Sequence, residues 1–154
     1  MKDSRKTKVI AVSSGGGHWV QLLRLRPAFA DSDVTFVTVL EGYRSDLEPG
    51  ASFRVIPDSN RSEKLKVIAS AISIFWMLLR ERPDVVISTG AAPGYLALRI
   101  GKMLGARTIW VDSIANAEEL SLSGQKAANC ADLWLTQWQH LAKNQGPHFK
   151  GSVL

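Results

Sequence analysis

Short runs of apolar residues alternate with longer amphipathic or apolar segments along the whole chain. Six of the short runs predict strands, because they are rich in β-branched residues and end in glycine, proline or polar residues: 8–13, 34–39, 53–57, 84–88, 107–111 and 132–136. The segments between them predict helices at 19–25, 61–82, 93–104 and, weakly, 120–129. Strands that are apolar on both faces are typical of a parallel sheet covered by helices. We therefore predict one α/β domain over residues 1–154, a Rossmann-like parallel sheet with helices on both faces.

Polar residues and glycines follow four of the predicted strands. They are found at 13–18, 88–90, 112–113 and 136–137. Ligands of open parallel sheets bind at the carboxyl ends of the strands, near the point where the strand order reverses. We therefore expect these four strand ends to form one cleft.

The segment Ser13-Ser14-Gly15-Gly16-Gly17-His18 is the most informative of the four. Glycines between a strand and a helix let the backbone approach a ligand and present N–H groups at a helix N-terminus, which favours phosphate. The spacing matches neither a dinucleotide-binding fingerprint nor a Walker loop. An imidazole at this position could act as a general base on a hydroxyl. The alternative is that His18 only hydrogen-bonds the turn.

Two further strand ends carry candidate ligand-binding residues. Thr89 and Gly90 belong to a second small-residue turn into a helix, which either supplies more N–H donors or lets two loops pack closely. Asp112 closes the fifth predicted strand. Its carboxylate could orient His18 or bind sugar hydroxyls, or it could cap the next turn.

The predicted helix at 61–82 is apolar around most of its circumference. Its apolar run, 67–79, covers about 13 residues, fewer than the ~20 that a membrane span requires. Basic residues flank this run: Arg61, Lys64, Lys66, Arg80 and Arg82. This pattern suits a helix lying in an anionic membrane interface, although a core helix of the sheet is the simpler interpretation. We predict that both interpretations hold: one face of the helix packs on the sheet, and part of the rest meets lipid or a partner. The residues predicted to make this outer contact are Ile72, Phe75, Trp76, Leu79 and Arg80.

Composition narrows the classes of partner. The formal net charge of +5 favours anionic partners, but no nucleic-acid-binding motif is present. The single cysteine, Cys130, cannot form an internal disulfide, and no cluster of residues has metal-ligand spacing. The charged N-terminus contains no apolar signal-peptide core, so we expect a cytoplasmic protein.

Five segments in order give the chain a recognisable pattern. They are Ser14-Gly15-Gly16-Gly17-His18, then 88–94, 110–113, 120–124 and 135–138. With these motifs the sequence resembles the Alg14/PssD family, whose members are the N-terminal half of a split GT-B glycosyltransferase related in fold to the MurG enzymes. The chain ends about where the first half of that family ends. The sequence departs from the family pattern at four places. Gln21 stands where an acidic residue is usual, and Asp112 stands where glutamate is usual. An arginine expected after Asp112-Ser113 is absent from the stretch with Asn116-Ala117, and Gln139 replaces a frequent proline.

The resemblance implies a polyprenyl-diphosphate-linked sugar as acceptor and a position on the cytoplasmic face of the membrane. It implies a separate Alg13/PssE-type subunit that brings the nucleotide-sugar site, and no cofactor or metal beyond a UDP-sugar co-substrate. His18 would be the candidate base, and Gln137 and Trp138 would lie at the partner interface. The residues implied to bind the acceptor are Ser14, Gly15, Gly16, Gly17, Thr89, Gly90, Asp112 and Ser113.

The predicted function is that of a subunit of a heteromeric glycosyltransferase. It would transfer a sugar from a UDP-sugar to a lipid-linked acceptor in surface polysaccharide biosynthesis. Two alternatives stay open: a non-catalytic membrane anchor that recruits the catalytic subunit, and a small-molecule-binding Rossmann domain with no partner.

Overall fold

A computed structural model describes residues 5–59 and 63–153 of the chain. Within these residues seven strands form one sheet in the order β3-β2-β1-β4-β5-β6-β7, and every neighbouring pair is parallel. The strands are β1 (Lys8–Val12), β2 (Asp33–Thr38), β3 (Ser52–Val55), β4 (Val85–Ser88), β5 (Arg107–Val111), β6 (Leu133–Thr136) and β7 (His148–Phe149). The predicted α/β class and parallel sheet are confirmed.

Four α-helices connect the strands. They are α1 (Gly17–Arg24), α2 (Lys64–Glu81), α3 (Ala91–Met103) and α4 (Leu122–Ala127), and 3₁₀ turns lie at Arg26–Phe29, Glu41–Asp46 and Gln139–Leu141. The six predicted strands and four predicted helices are present, with ends that differ by a few residues. The predicted start of α2 at Arg61 lies outside the described residues. The pattern missed β7, because a two-residue strand contains no apolar run.

Alternate residues of the central strand β1 enter two separate cores, one on each face of the sheet. Ile10 and Val12 pack with residues of α2 and α3, whereas Val9 and Ala11 pack with Trp19 of α1. Helices therefore cover both faces of the sheet, as the uninterrupted apolar character of the strands predicts.

The strand order reverses between β1 and β4, which pair directly with each other. Val12 is in register with Ser88, so the loops that follow these two strands begin side by side. One loop leads to α1 and the other to α3, and the two helices lie on opposite faces of the sheet. The diverging loops open a crevice, which is the usual ligand position in this architecture.

Candidate active site

A cleft of about 510 Å³ lies at the crevice between the β1–α1 and β4–α3 loops. Its walls come from the loops after β1, β3, β4 and β5. The lining residues are His18, Asp58, Ser59, Ala91, Ala92, Ser113, Ala115, Asn116, Ser121, Leu122 and Ser123. Among the described residues, no group of three or more histidine, cysteine or acidic side chains could hold a metal ion. The cleft therefore offers mainly hydroxyl and amide groups, with one imidazole and one carboxylate.

His18 is fixed to the loop after β4 by two hydrogen bonds. Its ring Nδ1 lies 3.1 Å from the carbonyl oxygen of Thr89, and the Thr89 hydroxyl donates to the carbonyl of His18 at 2.7 Å. Because a carbonyl oxygen only accepts, Nδ1 carries the hydrogen and Nε2 is the unprotonated nitrogen of the neutral ring. This arrangement leaves Nε2 available to accept a proton in the cleft, as a general base must.

Gly90 makes this position of the histidine possible. Its φ of 146° is one that residues with a side chain rarely adopt. A Cβ placed here would lie 2.3 Å from Nδ1 of His18. The Gly90 N–H donates to the Ser88 hydroxyl at 3.1 Å, so this amide is already used inside the protein. Close packing of two loops, one of the two interpretations of the small-residue turn, is therefore what the structure shows at Gly90.

The glycine loop leads into α1 without a side-chain cap. Gly16 has a φ of 65° and precedes the helix, and its N–H donates to the Tyr43 hydroxyl at 2.8 Å. The N–H groups of a first helical turn have no partner within their own helix. The amides of Gly17, His18 and Trp19 therefore have no partner within α1, whereas the Val20 N–H donates to the Gly16 carbonyl and the Gly16 N–H is bonded to Tyr43. Of the eight residues predicted to bind the acceptor, Ser113 alone is among the residues that line the cleft.

Asp112 is buried, and its carboxylate accepts four hydrogen bonds within the protein. Oδ1 accepts from the Trp110 indole at 3.1 Å and from the Ser121 hydroxyl at 2.7 Å. Oδ2 accepts from the Asn116 side chain at 3.2 Å and from the Ser121 N–H at 3.0 Å. The carboxylate thus fixes the loop between β5 and α4, which supplies Asn116 and Ser121 to the cleft. The structure favours the capping role over an orienting bond to His18.

Several cleft residues were missed at the level of sequence. Asp58 and Ser59 follow β3, the strand end that the pattern of polar residues did not include. Asn116, Ser121 and Ser123 lie well beyond the end of β5, and the loop folds back to bring them to the cleft. The density of serine and asparagine in 113–123 was the available signal.

Gln137 and Trp138 were predicted to lie at a partner interface. The Gln137 side chain is 2% exposed and donates to the carbonyl of Asp112 at 2.9 Å. The Gln137 side chain is thus buried within this chain, and a place of Gln137 at a partner interface stays a prediction. Trp138 is half-buried and donates its indole N–H to the carbonyl of Ile114 at 2.8 Å. Its place at an interface stays a prediction.

Helix α2 has one buried face and one exposed apolar face. Ser70, Ile74 and Leu78 are buried against the sheet. The large apolar side chains of the opposite face are exposed: Leu65, Ile68, Ile72, Phe75, Trp76 and Leu79. The prediction that one face packs on the sheet is confirmed, and contact of the other with lipid stays a prediction. No helix in the described ranges is long and apolar enough to span a bilayer.

The C-terminal end of α2 is tied to the sheet by Glu81. Its carboxylate pairs with Arg54 of β3 at 2.5 Å and with Lys8 of β1 at 3.2 Å. Burial raises the pKa of the Glu81 carboxyl, but hydrogen bonds from Arg54 and Lys8 outweigh this effect and hold that pKa below its ordinary value. The orientation of the exposed apolar face is thereby fixed relative to the sheet.

Comparison with known protein families identifies the family of this chain. The model described as "Oligosaccharide biosynthesis protein Alg14 like" matches residues 44–153. The chain belongs to the Alg14-like family. The matched range includes the Thr89–Gly90 turn, Asp112 and the 135–138 segment of this Alg14-like chain, and it begins after the glycine loop.

Two curated relatives agree with this assignment, and a solved structure has the same fold. The UDP-N-acetylglucosamine transferase subunit ALG14 of Yarrowia lipolytica is 24% identical over 88% of this chain and 76% of its own length. The subunit of the same name from Schizosaccharomyces pombe is 27% identical over 82% of this chain and 73% of its own. The crystal structure of Acinetobacter baumannii MurG matches with a TM-score of 0.76 at 11% identity, covering 95% of this chain and 45% of MurG. The likeness to MurG shows the fold alone, and the chain spans less than half of that enzyme.

Proposed function

We propose that this Alg14-like chain is the acceptor-binding subunit of a heteromeric hexosyltransferase. The names of its curated relatives point to UDP-N-acetylglucosamine as the donor. The acceptor would be a polyprenyl-diphosphate-linked sugar used in surface polysaccharide biosynthesis. The observation that carries the proposal is the position of His18, which is held through Nδ1 so that Nε2 is the basic nitrogen in the cleft.

The proposed reaction needs a base and a site for diphosphate. An acceptor hydroxyl oxygen would form a bond to the anomeric carbon of the donor sugar, while the bond from that carbon to the UDP oxygen breaks and UDP leaves. Nε2 of His18 would take the proton of the attacking hydroxyl. Helices α1 and α3 both begin at this edge of the sheet without side-chain caps. Their N-terminal dipoles would stabilise the diphosphate of the acceptor.

A lipid-linked acceptor is supported by the position of the exposed apolar face of α2. Ser59 lines the cleft, and Leu65, the first exposed apolar residue of α2, follows only six residues later. The exposed apolar residues run from Leu65 to Leu79, so at a rise of ~1.5 Å per residue this face extends for about 21 Å along the helix. A polyprenyl chain in the membrane could therefore approach along α2 with its diphosphate entering the cleft. Lys64, Lys66 and Arg80 at the margins of the face would meet anionic head groups.

The donor site is proposed to lie on a partner of the Alg13/PssE type. The names of the curated relatives describe transferase subunits, which supports a second chain. The partner's nucleotide-sugar domain would close the cleft from the side of Trp138 and the C-terminal tail.

The test is transfer of a labelled sugar to a lipid-linked acceptor by the two co-expressed chains. In His18→Asn, the shorter amide keeps a donor near the Thr89 carbonyl but has no basic nitrogen. We expect this variant to lose at least ~100-fold in kcat, because general-base catalysis contributes about 10²–10⁴-fold. His148→Asn changes an exposed histidine on β7 and serves as the matched control. Full activity of His18→Asn would refute the base and favour a non-catalytic anchor that recruits the true enzyme.

A further inference from the structure

One glutamine on α1 is buried among partners that are distant in the sequence. Gln21 is 4% exposed, and both ends of its amide are hydrogen-bonded. The Nε2 group donates to the Gly17 carbonyl at 3.3 Å and to the Ser113 hydroxyl at 3.1 Å. The Oε1 atom accepts from the Ile114 N–H at 3.1 Å and from Gln137 Nε2 at 2.5 Å.

These four bonds join three parts of the protein. Gly17 precedes His18 at the start of α1, so one bond holds the turn that carries the candidate base. Ser113 and Ile114 begin the loop that lines the opposite side of the cleft. Gln137 follows β6 and belongs to neither wall. A single buried amide therefore fixes both walls of the cleft to a third element.

Gln137 extends the same network to the C-terminal tail. Its Oε1 accepts from the Val153 N–H at 2.8 Å, and its main-chain carbonyl accepts from the Ser152 hydroxyl at 2.8 Å. Its Nε2 is shared between Gln21 and the Asp112 carbonyl. One path from tail to cleft thus consists of two side-chain amides in contact, and Arg24 of α1 also donates to the Val153 carbonyl at 3.3 Å.

We propose that Gln21 is a positioning residue that couples the C-terminal tail to the two walls of the cleft. An amide suits this role because it donates from one end and accepts at the other, whereas a carboxylate has no donor for the Gly17 carbonyl. A chain that engages the tail would act on Gln137, and through Gln21 on the Gly17 turn and the Ser113 loop. The coupling is a property of this chain; its use in catalysis rests on the proposed function.

The first experiment measures amide hydrogen exchange by NMR in Gln21→Leu. Leucine has a similar volume to glutamine but can form none of the four hydrogen bonds. The Val153 N–H is bonded to Gln137 and not to residue 21, so any effect at Val153 must pass through Gln137. We expect exchange at Ile114, which loses its own hydrogen bond, to rise by about fivefold. Exchange at Val153 should rise by a smaller factor, because its partner Gln137 loses the bond to Gln21. Gln125→Leu is the matched control, because the side chain of the exposed Gln125 donates to the nearby Leu120 carbonyl at 3.0 Å and lies outside this network. Faster exchange at Ile114 with no change at Val153 would overturn the coupling.

The second experiment uses the assembled pair and Gln21→Glu, Gln137→Glu and the double variant. Each glutamate keeps the acceptor oxygens but loses the donating group. We expect each single variant to lower kcat by about tenfold with little change in the KM for the UDP-sugar. The double variant should lose more than the product of these two losses, because it places two buried carboxylates in contact. Independent, multiplicative losses would overturn the proposal. If the wild-type pair transfers no sugar, the proposed function fails, and the exchange experiment still decides the coupling.

Discussion

Gly90→Ala gives a direct test of how the two loops of the cleft fit together. The substitution has two costs. The first is a φ of 146°, which is strained for alanine by about 1–3 kcal/mol. The second is the new Cβ, 2.3 Å from Nδ1 and 2.5 Å from Cε1 of His18. The ring must move, and its bond to the Thr89 carbonyl, about 1 kcal/mol, is lost. We expect a total loss of about 2–4 kcal/mol in the free energy of unfolding, or about 5–15 °C in Tm.

A matched glycine separates the two costs. Gly105 has a φ of 91°, and no atom lies within 4 Å of the position that an alanine Cβ would take there, so Gly105→Ala measures backbone strain alone. Urea unfolding of both variants should show the larger loss for Gly90→Ala. In a His18→Ala background the clash is absent, so the Gly90→Ala penalty should fall by about 1 kcal/mol or more. If Gly90→Ala lowered the free energy of unfolding equally, within about 0.3 kcal/mol, in the wild-type and His18→Ala proteins, the His18 ring would not be the reason for a glycine at position 90.

Two further predictions concern α2 and the ion pairs. The double variant Phe75→Ser, Trp76→Ser should lower partitioning of the protein into anionic vesicles by about tenfold or more, because each side chain loses apolar area worth about 1.5–3 kcal/mol when fully buried. The control is Val20→Ser, which changes an exposed residue on the other face of the sheet and should alter partitioning little. Equal losses of partitioning in the two proteins would refute a membrane-binding role for the exposed apolar face of α2. Hydrogen bonding from Lys102 holds the pKa of Asp132 below its ordinary value, so the stability gained over Asp132→Asn should be present above pH ~4 and shrink as the pH falls through the lowered pKa. If thermal unfolding showed a stability difference between wild type and Asp132→Asn that did not change with pH, this prediction would be wrong.

The fold followed from local signals. The strands β1, β4 and β6 consist almost entirely of apolar residues, whereas β2 and β5 combine apolar residues with threonines. Burial on both faces is the physical reason for such segments. The strand order itself could not be read in this way. It places β1 beside β4, across 72 intervening residues between Val12 and Val85, and depends on how the helices pack.

The candidate site was only partly accessible from sequence. His18 and the turn at Gly90 could be located, because glycines between a strand and a helix mark a site where the backbone must turn sharply or approach another group. That the two features require each other could not be predicted, since the contact joins residues 71 positions apart. Asp58 and Ser59 were missed because nothing in the local pattern shows that the loop after the edge strand β3 reaches the cleft.

The polar core of the site shows why such residues are difficult to predict. Gln21 falls on α1 where an exposed glutamine would fit the helical pattern equally well, and its burial is decided by Ser113 and Gln137, 92 and 116 positions away. A buried amide is stable only when its hydrogen-bonding groups are satisfied, so its position depends on a network that exists only after the chain has folded. The strand ends show where a ligand can bind in this fold. The amides of Gln21 and Gln137 fix how the walls of that site are held, and they do so through the same tail that the proposed partner would approach.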